Sequence, residues 1–306
     1  MPYLVTYRWL HRESGVGERI LALIASCMLA GNAIAAQPAV TAKRFESRAV
    51  AKDTPLKLKS TSVLVLDQAG QRVLYAKNVD AVVPIASITK LMTALVVLDS
   101  GQPLDEVITI SKEDRDGLKG TRSRLSVGMK VTRDDLLRLS LMASENRAAA
   151  ALSRAHPGGT AAFVAAMNRK ASELGMWTSR FVDGTGLSSR NVSTAQDLSR
   201  LVGAAHRNPL IRQYSTDERY TVRLANGRKM DFGNSNRMVR NSGWDIGLSK
   251  TGYISEAGRC LVLQAHIAAT PVIIVLLDSW GKLTRVGDAN RIKKWIETAS
   301  LRQPEG

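Results

Sequence analysis

Two cysteines and four histidines are all that 306 residues offer of the softer metal ligands and of the side chain that titrates near neutrality. His156, His206 and His266 are scattered, and no C-x-x-C, H-E-x-x-H, G-x-S-x-G or P-loop pattern occurs. Thiol redox, zinc hydrolysis, α/β-hydrolase and phosphate-loop chemistries therefore lack material, and neither a metal nor another cofactor is expected. Acidic residues are also scarce: 27 Asp and Glu against 43 Lys and Arg leave a net charge of +16. Such an excess implies an anionic partner. Aromatics make up only 5% of the chain and do not interleave with its basic runs, so no nucleic acid is expected. An anionic wall polymer or membrane surface fits better.

Long apolar runs are missing too. The most apolar stretch, Ile20 to Leu29, is interrupted soon afterwards by Gly31 and Asn32 and falls short of the roughly 20 residues of a bilayer span. Arg8, Arg12 and Arg19 precede it and Ala33-Ile34-Ala35 follows, the arrangement of an export signal over residues 1–35 cleaved near Ala35. A retained transmembrane anchor is the weaker reading. Ile24-Ala25-Ser26-Cys27 only loosely resembles a lipoprotein box, because apolar residues continue past Cys27. Cleavage leaves Cys260 alone, which excludes an internal disulfide and suggests core packing for its thiol.

Residues 36–60, with Pro38, Pro55 and no periodicity, read as a flexible lead-in to one domain over residues 61–300. Ser62 to Leu66, a turn at Asp67-Gln68-Ala69-Gly70 and Val73 to Tyr75 form an expected β-hairpin whose first strand is buried on both faces. Ser87 to Leu98 is mostly apolar on all sides, as a central buried helix would be. Helical patterns follow, including Arg133 to Leu152 and Thr160 to Leu174, in a helical lobe over about 103–215. Strand signals return at Tyr220 to Leu224, Leu261 to Ile267 and Val272 to Leu277, before a terminal helix over Asp288 to Ile296. The order predicts an α+β fold, with one sheet assembled from both chain ends and the helical lobe inserted between them. Ile292, Trp295 and Ile296 lie opposite Arg291, Lys293 and Lys294 on the last helix. Packing on the sheet is the favoured use of that face, and weak docking on a membrane surface is the alternative.

Three short patterns carry chemistry. Ser87-Ile88-Thr89-Lys90 opens the buried helix, where unpaired N–H groups and the positive end of the dipole gather around the Ser87 hydroxyl. Lys90 lies on the same side one turn later, and burial would push its ammonium toward the neutral form of a base. Ser144-Glu145-Asn146 offers a hydroxyl to relay a proton and an amide to hold Lys90 and a substrate carbonyl. Lys250-Thr251-Gly252 supplies a cation and a hydroxyl for a substrate carboxylate, with a glycine that lets the strand approach a bound peptide. The backbone N–H of Tyr253 could pair with that of Ser87 as an oxyanion hole. Singly, each pattern has a bland counterpart in a helix cap, a polar turn or an edge-strand cation. Ser279-Trp280-Gly281-Lys282 and Ser189-Arg190-Asn191 match two of the patterns again. Their joint order, with Ser87 opening a buried helix, is what selects an acyl-transfer site.

S-x-x-K, S-x-N and K-T-G form a set recognised from penicillin-binding proteins and class A β-lactamases, and from Ser62 to Trp295 the chain resembles the low-molecular-mass penicillin-binding proteins. The longer runs Pro84 to Met92, Phe181 to Leu187 and Ser193 to Leu198 carry the resemblance. Ala143 to Ala150 and Glu256 to Leu261 resemble the D-alanyl-D-alanine endopeptidase branch. The resemblance implies a β-lactamase/D,D-peptidase-like fold in a periplasmic protein. It also implies an acyl-enzyme on Ser87 that opens D-alanyl cross-links between peptidoglycan stem peptides, with β-lactams as covalent inhibitors. D-alanyl-D-alanine carboxypeptidase activity and a non-catalytic basic wall-binding protein are the alternatives. The related carboxypeptidases continue into a β-rich domain and a C-terminal anchor, neither of which is expected here. A class A β-lactamase needs a glutamate to activate the deacylating water, and Met176 to Gln196 has none, so slow release of penicillin is expected.

Overall fold

In the computed structural model, residues 56–224 and 227–300 are described. The signal expected over residues 1–35 lies outside them, as does the lead-in up to residue 55. The last five residues of that lead-in are packed rather than flexible. Leu58 and Ser60 are buried, and the Asp288 carboxylate accepts from the Lys59 N–H, the Ser60 N–H and the Ser60 hydroxyl.

The chain opens with the hairpin β1 (Ser62–Asp67) and β2 (Arg72–Lys77). A short β3 (Val83–Pro84) and a 3-10 turn over Ala86–Ile88 lead into α1 (Thr89–Asp99). Next come β4 (Val107–Thr109), β5 (Lys130–Thr132), α2 (Arg133–Met142), α3 (Asn146–Arg154) and α4 (Gly159–Glu173). β6 (Val192–Ser193), α5 (Ala195–Arg207), α6 (Pro209–Thr216) and the hairpin β7 (Arg219–Arg223) and β8 (Lys229–Gly233) follow. β9 (Asp245–Ile254), β10 (Gly258–Ile267), β11 (Thr270–Ser279) and α7 (Thr284–Ser300) complete the element order.

The main sheet runs β2-β1-β11-β10-β9 and is antiparallel throughout. It joins the two chain ends as expected, because the apolar strands β1 and β11 need cover on both faces and find each other in the centre. Val63 and Val65 pair with Leu276 and Ile274 on the face that packs on α7. Leu64, opposite Val275, belongs to the larger core with α1 and α5. Ile292 and Ile296 of α7 are buried in the first of these cores, with Trp295 packed against it. The terminal apolar face is therefore spent on the sheet. Among the described residues no helix is long and apolar enough to cross a membrane.

Two expectations need correction. The helical lobe begins near Arg133, because β4 and β5 pair with each other and the residues between them, 110–129, hold only a short 3-10 turn over Lys112–Asp114. The pattern over Arg133 to Leu152 is also two helices. Glu145 is extended and caps α3, accepting from the Ala148 N–H at 2.7 Å, and Ser144 takes φ +58°. A left-handed serine costs on the order of 1–3 kcal/mol. The break falls on Ser144-Glu145-Asn146, the run whose bland counterpart is a polar turn.

Candidate active site

α1 is buried from Thr89 to Val97, so each polar side chain on it needs a partner. Thr89 donates to the Ala86 carbonyl at 2.8 Å and Thr93 to the Gly184 carbonyl at 2.6 Å. Lys90, fully buried, places its Nζ 2.8 Å from Ser87 Oγ, 2.7 Å from Asn146 Oδ1 and 2.6 Å from the Thr185 carbonyl. Burial lowers its pKa to about 7, against the opposing pull of Glu145 and Asp183. The three partners are not equivalent. Asn146 Oδ1 and the Thr185 carbonyl can only accept, so a neutral amine keeps its two N–H groups on them. Its lone pair then faces the Ser87 hydroxyl, the one partner with a proton to give.

Ser87 sits in the 3-10 turn, not within the α-helix proper. Ala86 before it has φ +47°, a strained geometry held from two sides. Gly186, with φ +79°, packs so closely that a Cβ there would overlap the Ala86 carbonyl, and an added Cβ on Gly252 would lie 3.2 Å from Ser87 N. The glycine of Lys250-Thr251-Gly252 thus lets β9 approach the Ser87 turn.

β9 is an edge strand of the sheet, and its alternation turns Lys250 and Gly252 toward Ser87 and α1. Lys250 Nζ, also buried, lies 2.8 Å from Ser144 Oγ and donates to the Thr251 carbonyl at 2.8 Å. Burial pushes its pKa well below the ordinary lysine value, and Lys90 and Arg285 push the same way. The Thr251 hydroxyl donates to Ser235 Oγ at 2.9 Å. Exposed Tyr253 projects to the opposite face, so only its backbone can serve the Ser87 side.

The three patterns therefore meet in one place. Ser87, Lys90 and Asn146 form one hydrogen-bonded group, and Ser144 with Lys250 a second. The competing matches behave differently. Ser279 is buried and hydrogen-bonds Ser60 at 2.7 Å. Asn191, from the second S-x-N, is buried beneath the site, where its Oδ1 accepts from the Val182 and Asp183 N–H groups.

Several supporting residues escaped the sequence reading. Asp183 accepts from the Thr185 N–H, the Thr185 hydroxyl and the Gly186 and Ser188 N–H groups, which fixes the carbonyl that holds Lys90. Thr121 accepts from Asn146 Nδ2 at 3.0 Å and donates to Asp116 at 2.7 Å. Arg285 donates to the Gly252 and Cys260 carbonyls. The run Asp183-Gly184-Thr185-Gly186 carried a turn signal that pointed to this loop, but nothing local marked Thr121 or Arg285. Cys260 is buried, its thiol pushed up to about 11 by desolvation, as a core cysteine would be.

A family model described as D-alanyl-D-alanine carboxypeptidase, peptidase S11, matches residues 48–281. The D-alanyl-D-alanine endopeptidase of Pseudomonas aeruginosa is 50% identical over 245 residues, covering 80% of this chain and 79% of that protein. That of Escherichia coli K12 is 43% identical over 264 residues, covering 84% and 85%. Among solved structures, the Streptomyces K15 DD-transpeptidase superposes with a TM-score of 0.73 at 29% identity, covering 79% of this chain and 98% of that one.

Proposed function

The chain belongs to the D-alanyl-D-alanine carboxypeptidase family of serine peptidases, and on that premise we propose that it is a D,D-endopeptidase that opens D-alanyl cross-links between peptidoglycan stem peptides. The observation that carries the chemistry is the Lys90 amine, with a pKa of about 7 and 2.8 Å from the Ser87 hydroxyl. Lys90 takes the Ser87 proton as Oγ attacks the carbonyl of the scissile D-alanyl bond. The tetrahedral oxygen is stabilised by the backbone N–H groups of Ser87 and Tyr253. Ser144, hydrogen-bonded to Lys250, passes a proton to the leaving amine of the neighbouring stem peptide. Asn146 holds Lys90 and the substrate carbonyl. Water then releases the acyl group from Ser87. Lys250 and the Thr251 hydroxyl would bind a carboxylate of the neighbouring peptide.

Export to the periplasm through residues 1–35 would bring the enzyme to this substrate, and a β-lactam would acylate Ser87 in place of the peptide. Labelling by a fluorescent penicillin tests the nucleophile. Wild type should label and Ser87→Ala should not, and labelling that persisted in the variant would refute the assignment. Purified protein given cross-linked muropeptide dimers should yield monomers. Loss of the terminal D-alanine from monomeric pentapeptide alone would assign the carboxypeptidase activity instead. Binding to sacculi with no product from either substrate would assign a non-catalytic wall-binding role.

A further inference from the structure

On the face of β9 opposite Lys250 and Gly252 lies an open cleft of about 260 Å³, bounded by Tyr253, Arg259, Asp278, Trp280 and Lys282. Register builds its floor: Tyr253 pairs with Arg259 and Arg259 with Ser279, so these side chains share one face. The neighbouring Ile254 turns into the core on the other side. Trp280 is 80% exposed and Tyr253 57%, although tryptophan is highly covered on average. The Arg259 guanidinium lies over the Tyr253 ring, 4.5 Å from its centroid, which steadies both groups. Asp278 has φ +49° and Gly258 φ +61°. A Cβ on Gly258 would come within 3.1 Å of Asp278 Cα, so the glycine is needed for the carboxylate-bearing bend to form.

We propose that this cleft binds a sugar ring of the glycan strand that carries the stem peptides, a proposal that rests on the wall-peptidase reading. The exposed aromatic rings offer stacking surfaces for the apolar face of a pyranose. Arg259 and Lys282 donate hydrogen bonds and Asp278 accepts them, a mixed set suited to hydroxyl and acetamido groups. A polyanion would face the Asp278 carboxylate, and an apolar peptide would leave all three charged groups without partners. The volume lies just below the roughly 300–1,000 Å³ of pockets for drug-sized ligands, which suits a single ring. Tyr253 directly follows Gly252, whose α-carbon packs against the Ser87 turn. A peptide lying along edge strand β9 would therefore have its glycan attachment within reach of the cleft around the edge.

The test uses the full protein, with the N-acetylglucosamine tetramer as probe, in calorimetric titrations of wild type, Trp280→Ala and Trp280→Tyr. Wild type should bind, Trp280→Ala should bind about tenfold more weakly or worse, and Trp280→Tyr should retain most of the affinity, because one stacking face is worth roughly a factor of ten. Digestion of intact sacculi should slow in Trp280→Ala, while cleavage of a sugar-free cross-linked peptide dimer should not change. Failure of wild type to bind the tetramer, or equal binding by Trp280→Ala, would overturn the proposal. Tetramer binding by a protein that cleaves no dimer would instead overturn the peptidase reading and leave the sugar site standing.

Discussion

The pH dependence of Ser87 acylation should carry the titration of Lys90, whose amine lies 2.8 Å from Ser87 Oγ. With a pKa of about 7, the neutral fraction of Lys90 is about 0.9 at pH 8, about 0.1 at pH 6 and about 0.01 at pH 5. If Lys90 is the base, the acylation rate falls about tenfold per pH unit below 7 and levels off above 8. Stopped-flow measurement of the burst with a chromogenic cephalosporin reads this rate directly, provided circular dichroism shows the protein folded at each pH. Glu145→Gln adds a second constraint. Its carboxylate raises the Lys90 pKa, so removing the charge should move the rising limb to lower pH, while the amide oxygen still caps α3. Lys90→Arg should lose about 10²–10⁴ in acylation at every pH and show no limb, since the guanidinium never deprotonates. A rate that is flat between pH 5 and 8, a limb centred near 10, or a limb that Glu145→Gln moves upward would refute Lys90 as the base.

Other outcomes follow from the same geometry. Gly252→Ala puts a Cβ 3.0 Å from the Ile85 carbonyl oxygen and 3.2 Å from Ser87 N; a stability loss of about 1–3 kcal/mol in urea melts should accompany slower penicillin labelling. Holding Lys90 at about 7 instead of 10.5 costs on the order of 5 kcal/mol. The unfolded chain binds more protons between those values, so wild type should gain stability relative to Lys90→Met as pH rises from about 7 to 10.5; a pH-independent difference would contradict the burial argument. Penicillin release should be slow, because Asp183, a carboxylate in the segment without glutamate, already accepts four hydrogen bonds. Rapid multiple turnover of penicillin would refute that.

Much of this molecule is legible without its structure. β1, β10 and β11 announce themselves as continuous apolar runs because both of their faces are buried, and α1 does so because it is apolar all round. The three acyl-transfer patterns are equally local, since each is a short run whose meaning depends on residue type and spacing. What the sequence could not supply is proximity. Lys90 and Thr185 are 95 positions apart, and Lys250 and Ser144 are 106 apart. Only the antiparallel closure of β9 onto β10 and the break between α2 and α3 bring them within hydrogen-bonding distance. The left-handed backbones of Ala86 and Ser144 are likewise tertiary decisions, because neither residue prefers that conformation and each is held there by what packs around it. Residue types thus determined which chemistry was available. Burial decided that a lysine could act as a base, because desolvation depends on everything that surrounds the amine and on nothing adjacent to it in the chain.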